Sequence, residues 1–446
     1  MTTRVPWIVI LLIVMAPGCG ADRANSESPD VVEDIDEANM QLSFELSGMM
    51  YENQPFTLDV RALTSGGDVV TSFSGEVAFS SSIGVLAPDH LTMEAGVASG
   101  EMMLSREGNG LLGATLGDLD GTLPITVEVT DWTRDPVDSV LNGGLANSEH
   151  WNHGGIHSPA VVAHEGGLEL FFSTRDIKSE EGDFTDHVLG RAVSSDGGIT
   201  WTLEPDEPIW TPEAAGVAGF GTLSVMRDEA GMYWLFHTVH SDEGPPGIRA
   251  AKSVDGIAWE AAPCLDVAGG FDAFWTQQGV LDPSVVALGD GLFRMYFSVR
   301  RIEGAVETRD LGAVEGSCAD GWGGVQEVLS HGEQGLWDAG WVSQAHVWRE
   351  QDLWRMLYVG AASDSGSAKS SIGYASSEDG WTWVRAGTNP VIQKESGFWE
   401  VHGVGGASTT VMADGSRGVF YTGYPSDKRP RVIRRMPSSP PLNGAN

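Results

Sequence analysis

The chain has 446 residues, and 26 Lys and Arg against 62 Asp and Glu give a formal net charge of −36 at pH 7. Such an acidic chain, with no basic run, argues against a nucleic-acid partner and against docking on anionic lipid heads, since both need clustered Lys and Arg. A hydrophobic share of 41%, with 58 Gly and 16 Trp, excludes a polytopic membrane protein and a wholly disordered one; it fits a turn-rich, exported protein with room for two or three domains.

Residues 1–18 read as a signal peptide, with Arg4 followed by an apolar core from Val5 to Met15. That core is too short to span a bilayer as a helix. Ala16-Pro17-Gly18-Cys19 ends it and resembles a bacterial lipobox, which implies acylation of Cys19 and a cell-envelope location, at the outer membrane or cell surface. Gly20, rather than Asp, follows the Cys and favours the outer membrane. Membrane attachment is expected through this lipid only. Residues 19–40 carry Glu33-Asp34-Ile35-Asp36-Glu37 and little to bury, so they read as an extended acidic linker.

From 41 to 131 short runs alternate apolar and polar residues with the period of a strand, as in Leu42-Ser43-Phe44-Glu45-Leu46 and Ile125-Thr126-Val127-Glu128-Val129. Gly66-Gly67, Asn109-Gly110 and Asp120-Gly121 read as the turns between them. Some seven strands in this space predict a β-sandwich, and the stretch resembles the Ig-like domains that serve as stalks on bacterial surface proteins. No cluster of chemistry-bearing residues stands out in it, so its expected job is spacing.

Residues 147–436 repeat themselves. Ser158-Pro159-Ala160-Val161-Val162, Thr222-Leu223-Ser224-Val225-Met226, Asp282-Pro283-Ser284-Val285-Val286, Ser343-Gln344-Ala345-His346-Val347 and Ala407-Ser408-Thr409-Thr410-Val411 each precede a second, aromatic-rich strand. The openings fall at 158, 222, 282, 343 and 407, steps of 64, 60, 61 and 64 residues. Three units continue into a matching turn, Asp196-Gly197-Gly198-Ile199-Thr200-Trp201, Asp255-Gly256-Ile257-Ala258-Trp259 and Asp379-Gly380-Trp381-Thr382-Trp383. In each, the Asp is expected to cap local N–H groups while the Trp packs beneath, a structural role. Five β units of about sixty residues predict an all-β fold: a five-bladed β-propeller preceded by the Ig-like β-sandwich, with 437–446 left as a disordered tail. Cys264 and Cys318 read either as a disulfide or as two separate buried thiols.

This blade grammar, with Asp282-Pro283-Ser284-Val285 opening blade three, resembles the five-bladed propellers of glycoside hydrolase families 43, 32 and 130. In family 43 a base Asp opens blade one, a second Asp opens blade three and an acid Glu opens blade four. The resemblance carries the blade-three Asp onto Asp282, but places Ser158 at the base position and Ser343 at the acid position. Serine has no group that titrates near neutral pH, and losing a general acid or base typically removes about 10²–10⁴-fold each, so catalysis by the usual route is not expected. Glu400, in Trp399-Glu400-Val401-His402, and Asp338, in Trp337-Asp338-Ala339-Gly340-Trp341, are the carboxylates that could pair with Asp282 instead; the blander reading, a loop carboxylate capping a turn, is preferred for each.

Further pocket candidates are His157, beside Ser158, and His402. The indoles Trp151, Trp275, Trp341 and Trp399 all precede blade openings and suit either sugar stacking or blade packing. Arg300-Arg301 can pair with Asp282 or grip an anionic sugar. His153, His157, His237, His346 and His402 lack the tight spacing of a zinc motif, so no metal and no cofactor is expected. The expected protein is therefore a monomeric, lipid-anchored binder of an oligo- or polysaccharide. The alternatives are an active glycosidase that uses Asp282 with Glu400 or Asp338, and a scaffold whose propeller face binds a protein.

Overall fold

The computed structural model describes residues 40–437, apart from 48–49, 53–54, 129–131, 135–139, 143–149, 165, 175–186, 241–243, 268–270, 272, 305, 351–352, 364–369, 395–399 and 427–428. The signal segment, Cys19, the acidic linker up to residue 39, Trp399 and the tail from 438 lie outside the described residues. The chain forms two compact units that divide between Thr130 and Asp131.

The first unit is a two-sheet sandwich. One sheet orders Gln41–Ser47, Phe56–Leu63, Val97–Leu104 and Leu86–Ala87; the other orders Met50–Tyr51, Leu119–Glu128, Gly108–Leu116, Gly75–Ser81 and His90–Met93. Alternation places Phe56, Leu58, Val60 and Ala62 of the first sheet in one core with Val77, Leu112, Ile125 and Val127 of the second. Two of the turns expected from the sequence are strand interior. Asn109-Gly110 and Asp120-Gly121 lie within Gly108–Leu116 and Leu119–Glu128, and the chain reverses at Gly117, where φ is 60°. The Asn109 side chain accepts a cross-strand bond from Thr126 at 2.8 Å rather than closing a turn.

The second unit holds five four-stranded antiparallel sheets, the blades. Their innermost strands are Ile156–His164, Phe220–Arg227, Val280–Gly289, Trp341–Glu350 and Val404–Val411. Each lies against the innermost strand of the next blade, and the fifth lies against the first, so the ring is closed. The unit takes in more chain than the repeat suggests. Blade five receives its outermost strand from Trp132–Arg134, which pairs with Arg431–Pro437 ahead of blade one.

Neighbouring blades are stitched by side-chain oxygens or nitrogens that accept N–H groups from the next innermost strand. Ser224 accepts from Val285 at 3.1 Å, Ser284 from Val347 at 2.9 Å, the His346 imidazole from Thr409 at 3.0 Å and Ser408 from Val161 at 3.0 Å. The equivalent position in blade one is Ala160, which has no acceptor to offer Val225.

The three Asp-Gly turns cap themselves as expected. Asp379 accepts from the N–H groups of Trp381 and Thr382, each at 2.7 Å, and these bonds hold its carboxyl down at about 2. Burial pushes Asp196 up, but bonds from Thr200, Ser194 and Ile199 outweigh it and leave that carboxyl also at about 2. Blade three carries a variant in which Ser317 bonds Asp320 at 3.0 Å and Cys318 forms a disulfide with Cys264, Cα to Cα 4.9 Å. The bridge ties the short 263–265 turn after blade two to the end of a blade-three strand, which decides the alternative left open by the sequence.

Candidate functional site at the propeller axis

Each innermost strand breaks register with its neighbour near its start, and the bulge presents one residue at the axis. The bulge residues are Ser158, Thr222, Asp282, Gln344 and Gly406. Ser158, Asp282 and Gln344 have φ of 51°, 55° and 50°, and Gly406 has 23°. Non-glycine residues held at positive φ are uncommon, and a repeated set of them marks a site the fold constrains deliberately. The blade-four position expected at Ser343 therefore belongs to Gln344. Ser343 still pairs with Val359 and is buried, whereas Gln344 begins the bulge. An amide thus stands at the blade-four bulge and a hydroxyl at that of blade one.

Hydrogen bonds from the preceding blade fix these residues. Thr422 accepts from the Ser158 N–H at 3.1 Å, Thr238 from Asp282 at 2.9 Å and Ser298 from Gln344 at 3.1 Å. Blade four has Val359 at this place, and the Gln344 side chain takes over, accepting from the Gly406 N–H at 2.6 Å. A Cβ at Gly406 would lie 3.5 Å from Ser158 Cα and 3.7 Å from Gln344 Oε1, so the bulges of three blades converge.

Asp282 is buried. Its Oδ1 accepts from the Thr222 hydroxyl at 2.6 Å, and Thr222 is 2.9 Å from Thr238. Its Oδ2 is buried and has no hydrogen-bond partner among the described residues. A second tier lies two residues beyond Thr238, Ser298 and Thr422: His240 and Tyr424, each just past the end of its strand, and Arg300, still within its strand. Burial and the Asp282 charge push the Tyr424 phenol up to about 12. Burial lowers His240; Asp282 opposes this, while Arg309 and Arg300 add to it. The ring of His157 lies 6.4 Å from Tyr424 and 5.8 Å from His187. His157 is thus near Tyr424, which in turn feels the Asp282 charge, and Ser158 lies beside the Gly406 bulge.

The other candidates lie elsewhere. Glu400 is fully buried, bonded by the Tyr421 hydroxyl and 3.7 Å from Arg435. Asp338 is bonded by Arg385 at 3.0 Å and Tyr358 at 3.4 Å. Both carboxylates are closed within their own blades, each by a Tyr and an Arg. Trp151 stacks on Phe172, 5.9 Å between centroids, over Gly190, and Trp275 covers Gly312 beside Phe297. In blade four that place belongs to Trp337, which sits over Gly373 and 5.7 Å from Tyr358; Trp341 is half-buried opposite Ala361. Trp151, Trp275 and Trp337 thus pack against glycines within their own blades. His402 is exposed. Arg300 bonds Glu307 at 3.0 Å, and Arg301 lies 3.0 Å from Asp310, so neither pairs with Asp282. Among the described residues, no group of three or more His, Cys, Asp or Glu is placed to hold a metal ion.

Thr222, Gln344, Gly406, His240 and Tyr424 escaped the sequence reading, although a signal exists. His240, Arg300 and Tyr424 each follow the bulge residue of their blade by 18 positions.

The fold that carries this site is that of the β-propeller glycoside hydrolases and phosphorylases. A glycosyl hydrolase from Bacteroides ovatus superposes with a TM-score of 0.55 at 16% identity, over 70% of this chain and 95% of that one. A member of the GH130 family of mannoside phosphorylases, described as containing hydrolases that target β-1,2 mannosidic linkages, gives 0.55 at 16% over 71% and 96%. A chain from Parabacteroides distasonis, described as a candidate glycoside hydrolase, gives 0.54 at 14% over 70% and 97%. No protein-family profile and no curated protein sequence matches the chain.

Proposed function

We propose that the axial pocket binds a glycan and that Asp282 anchors it. The observation that carries this reading is the unpartnered, buried Oδ2 of Asp282. A buried carboxylate oxygen with no donor is costly, and a sugar hydroxyl entering the pocket supplies one. Among the described residues, hydrolysis by two carboxyl groups finds no second member on the floor, where Asp282 is accompanied by Ser158, Thr222, Gln344 and Gly406. Glu400 and Asp338 are each held in an arginine pair of their own. Binding without cleavage is the function this arrangement supports best. The lipid anchor read at Cys19, and the sandwich as an Ig-like spacer, complete the proposal of a surface-held glycan binder.

The test is a glycan array on the whole chain, followed by calorimetry and product analysis of the hits. Asp282→Asn is expected to weaken binding by about tenfold or more, the worth of one charge-assisted hydrogen bond. Unchanged affinity in that variant, or no glycan bound at all, overturns the reading. Release of new reducing ends that stops in Asp282→Asn would replace it with a glycosidase.

A further inference from the structure

The blade-three hairpin is longer than its counterparts. Its strands Leu292–Glu303 and Val306–Ser317 have 12 residues each, whereas the second strands of the other blades end at Thr174, Val239 and Gly423, level with Val299, and at Ala361, one residue farther. The extension rises from the pocket end of the blade, because the Arg300 N–H donates to the carbonyl of Gly279, three residues before Asp282. Arg300 lies on the same strand face as Ser298, whose hydroxyl holds the Gln344 bulge, so it stands over the gap between the blade-three and blade-four bulges. Arg309 is its cross-strand partner. Both bond Glu307, but differently. Arg309 engages it through Nε at 3.0 Å and Nη2 at 2.8 Å, while Arg300 engages it through Nε alone. The Nη1–Nη2 edge of Arg300 makes no hydrogen bond to the described residues, and its side chain is 35% exposed. A planar guanidinium edge of this kind matches the two oxygens of a carboxylate.

Resting on the glycan reading above, we infer that the pocket selects a carboxylate-bearing sugar, a uronic acid residue whose carboxylate sits on the open edge of Arg300 while its hydroxyls face Asp282. The two charges are separated along the blade: the floor offers an anion that suits hydroxyl donors, and the hairpin offers a cation that suits an acid. Glu307 positions both arginines and neutralises Arg309, which leaves Arg300 as the specificity residue. In a chain of net charge −36, an acidic ligand meets general repulsion, so a local cation is what would make such a ligand acceptable.

The experiment uses the whole chain and an array carrying glucuronic- and galacturonic-acid oligosaccharides, each beside its carboxyl-reduced, neutral counterpart, with sulfated and phosphorylated glycans included. Acidic members are expected to bind about tenfold tighter than their reduced partners, the range of one bidentate charge-assisted contact. Arg300→Met should erase that gap, and Arg300→Lys should restore part of it. Should either variant melt early, the wild-type gap must still narrow as salt rises. Equal binding of acidic and reduced partners, a gap that survives Arg300→Met or high salt, or preference for sulfated or phosphorylated glycans overturns the inference. Neutral glycans bound as tightly as acidic ones leave the pocket reading standing, whereas no binding at all removes both.

Discussion

A histidine between blades four and five sets how acid acts on this protein. His346 Nε2 accepts the Thr409 N–H, so that nitrogen carries no proton in the fold. Burial, helped by Arg417, depresses its pKa to about 3, and burial does the same to His237. An unfolded chain protonates both near 6.5, so each contributes stability that is fully present above that value and drains away as pH falls toward 3. Denaturant midpoints measured from pH 7 to pH 4 should fall, and His346→Gln should flatten that slope. A slope left intact would remove His346 from this role. At this scale Asp282 was legible in the sequence because its Asp-Pro opens a repeating unit. Gln344 was not, since a bulge moves the axial position by one residue without leaving a mark in composition.

Elements in this ring depend on glycines that leave room for large rings. Cβ atoms placed at Gly190 and Gly373 would lie 2.4 Å from Phe172 and 2.6 Å from Tyr358, with Trp151 and Trp337 pressing from the same side. Gly373→Ala is therefore expected to destabilise by about 1–3 kcal/mol, as overpacking does, measured by chemical denaturation. A cost near zero would show that Trp337 swings away freely. The same geometry explains why the tryptophans before each blade were ambiguous: a flat indole suits a sugar face and a bare glycine backbone equally, and only the strand register tells them apart. The Asp-Gly-x-x-Trp turns were legible because the turn's own side chains satisfy its backbone. Asn109-Gly110 misled for the opposite reason, as its pairing partners lie across a sheet and not next to it in sequence. The Cys264–Cys318 bridge spans 54 residues, and replacing both cysteines by Ser should lower the unfolding free energy by about 4 kcal/mol in the chain-entropy model. A midpoint indifferent to the replacement would mean that blades two and three are held without it.

For the whole molecule, five repeats of similar length sufficed to give the ring, because each blade buries its faces only against neighbours. The manner of closure was hidden. Trp132–Arg134 shares no pattern with the repeat, yet it completes blade five, and the Trp132 side chain is buried. Its assignment needs a partner strand some three hundred positions away.

Blade one is the exception to the stitching between blades. It has Ala160 where the others present a side-chain acceptor, and the Ser173 hydroxyl, placed like those that hold the Asp282 and Gln344 bulges, has no hydrogen-bond partner among the described residues. Its seam with blade two is secured farther out, by the Tyr233 hydroxyl on Glu169. A necklace parts at its weakest link: if this ring opens, the seam between Ala160 and Val225 is where the stitching offers least resistance.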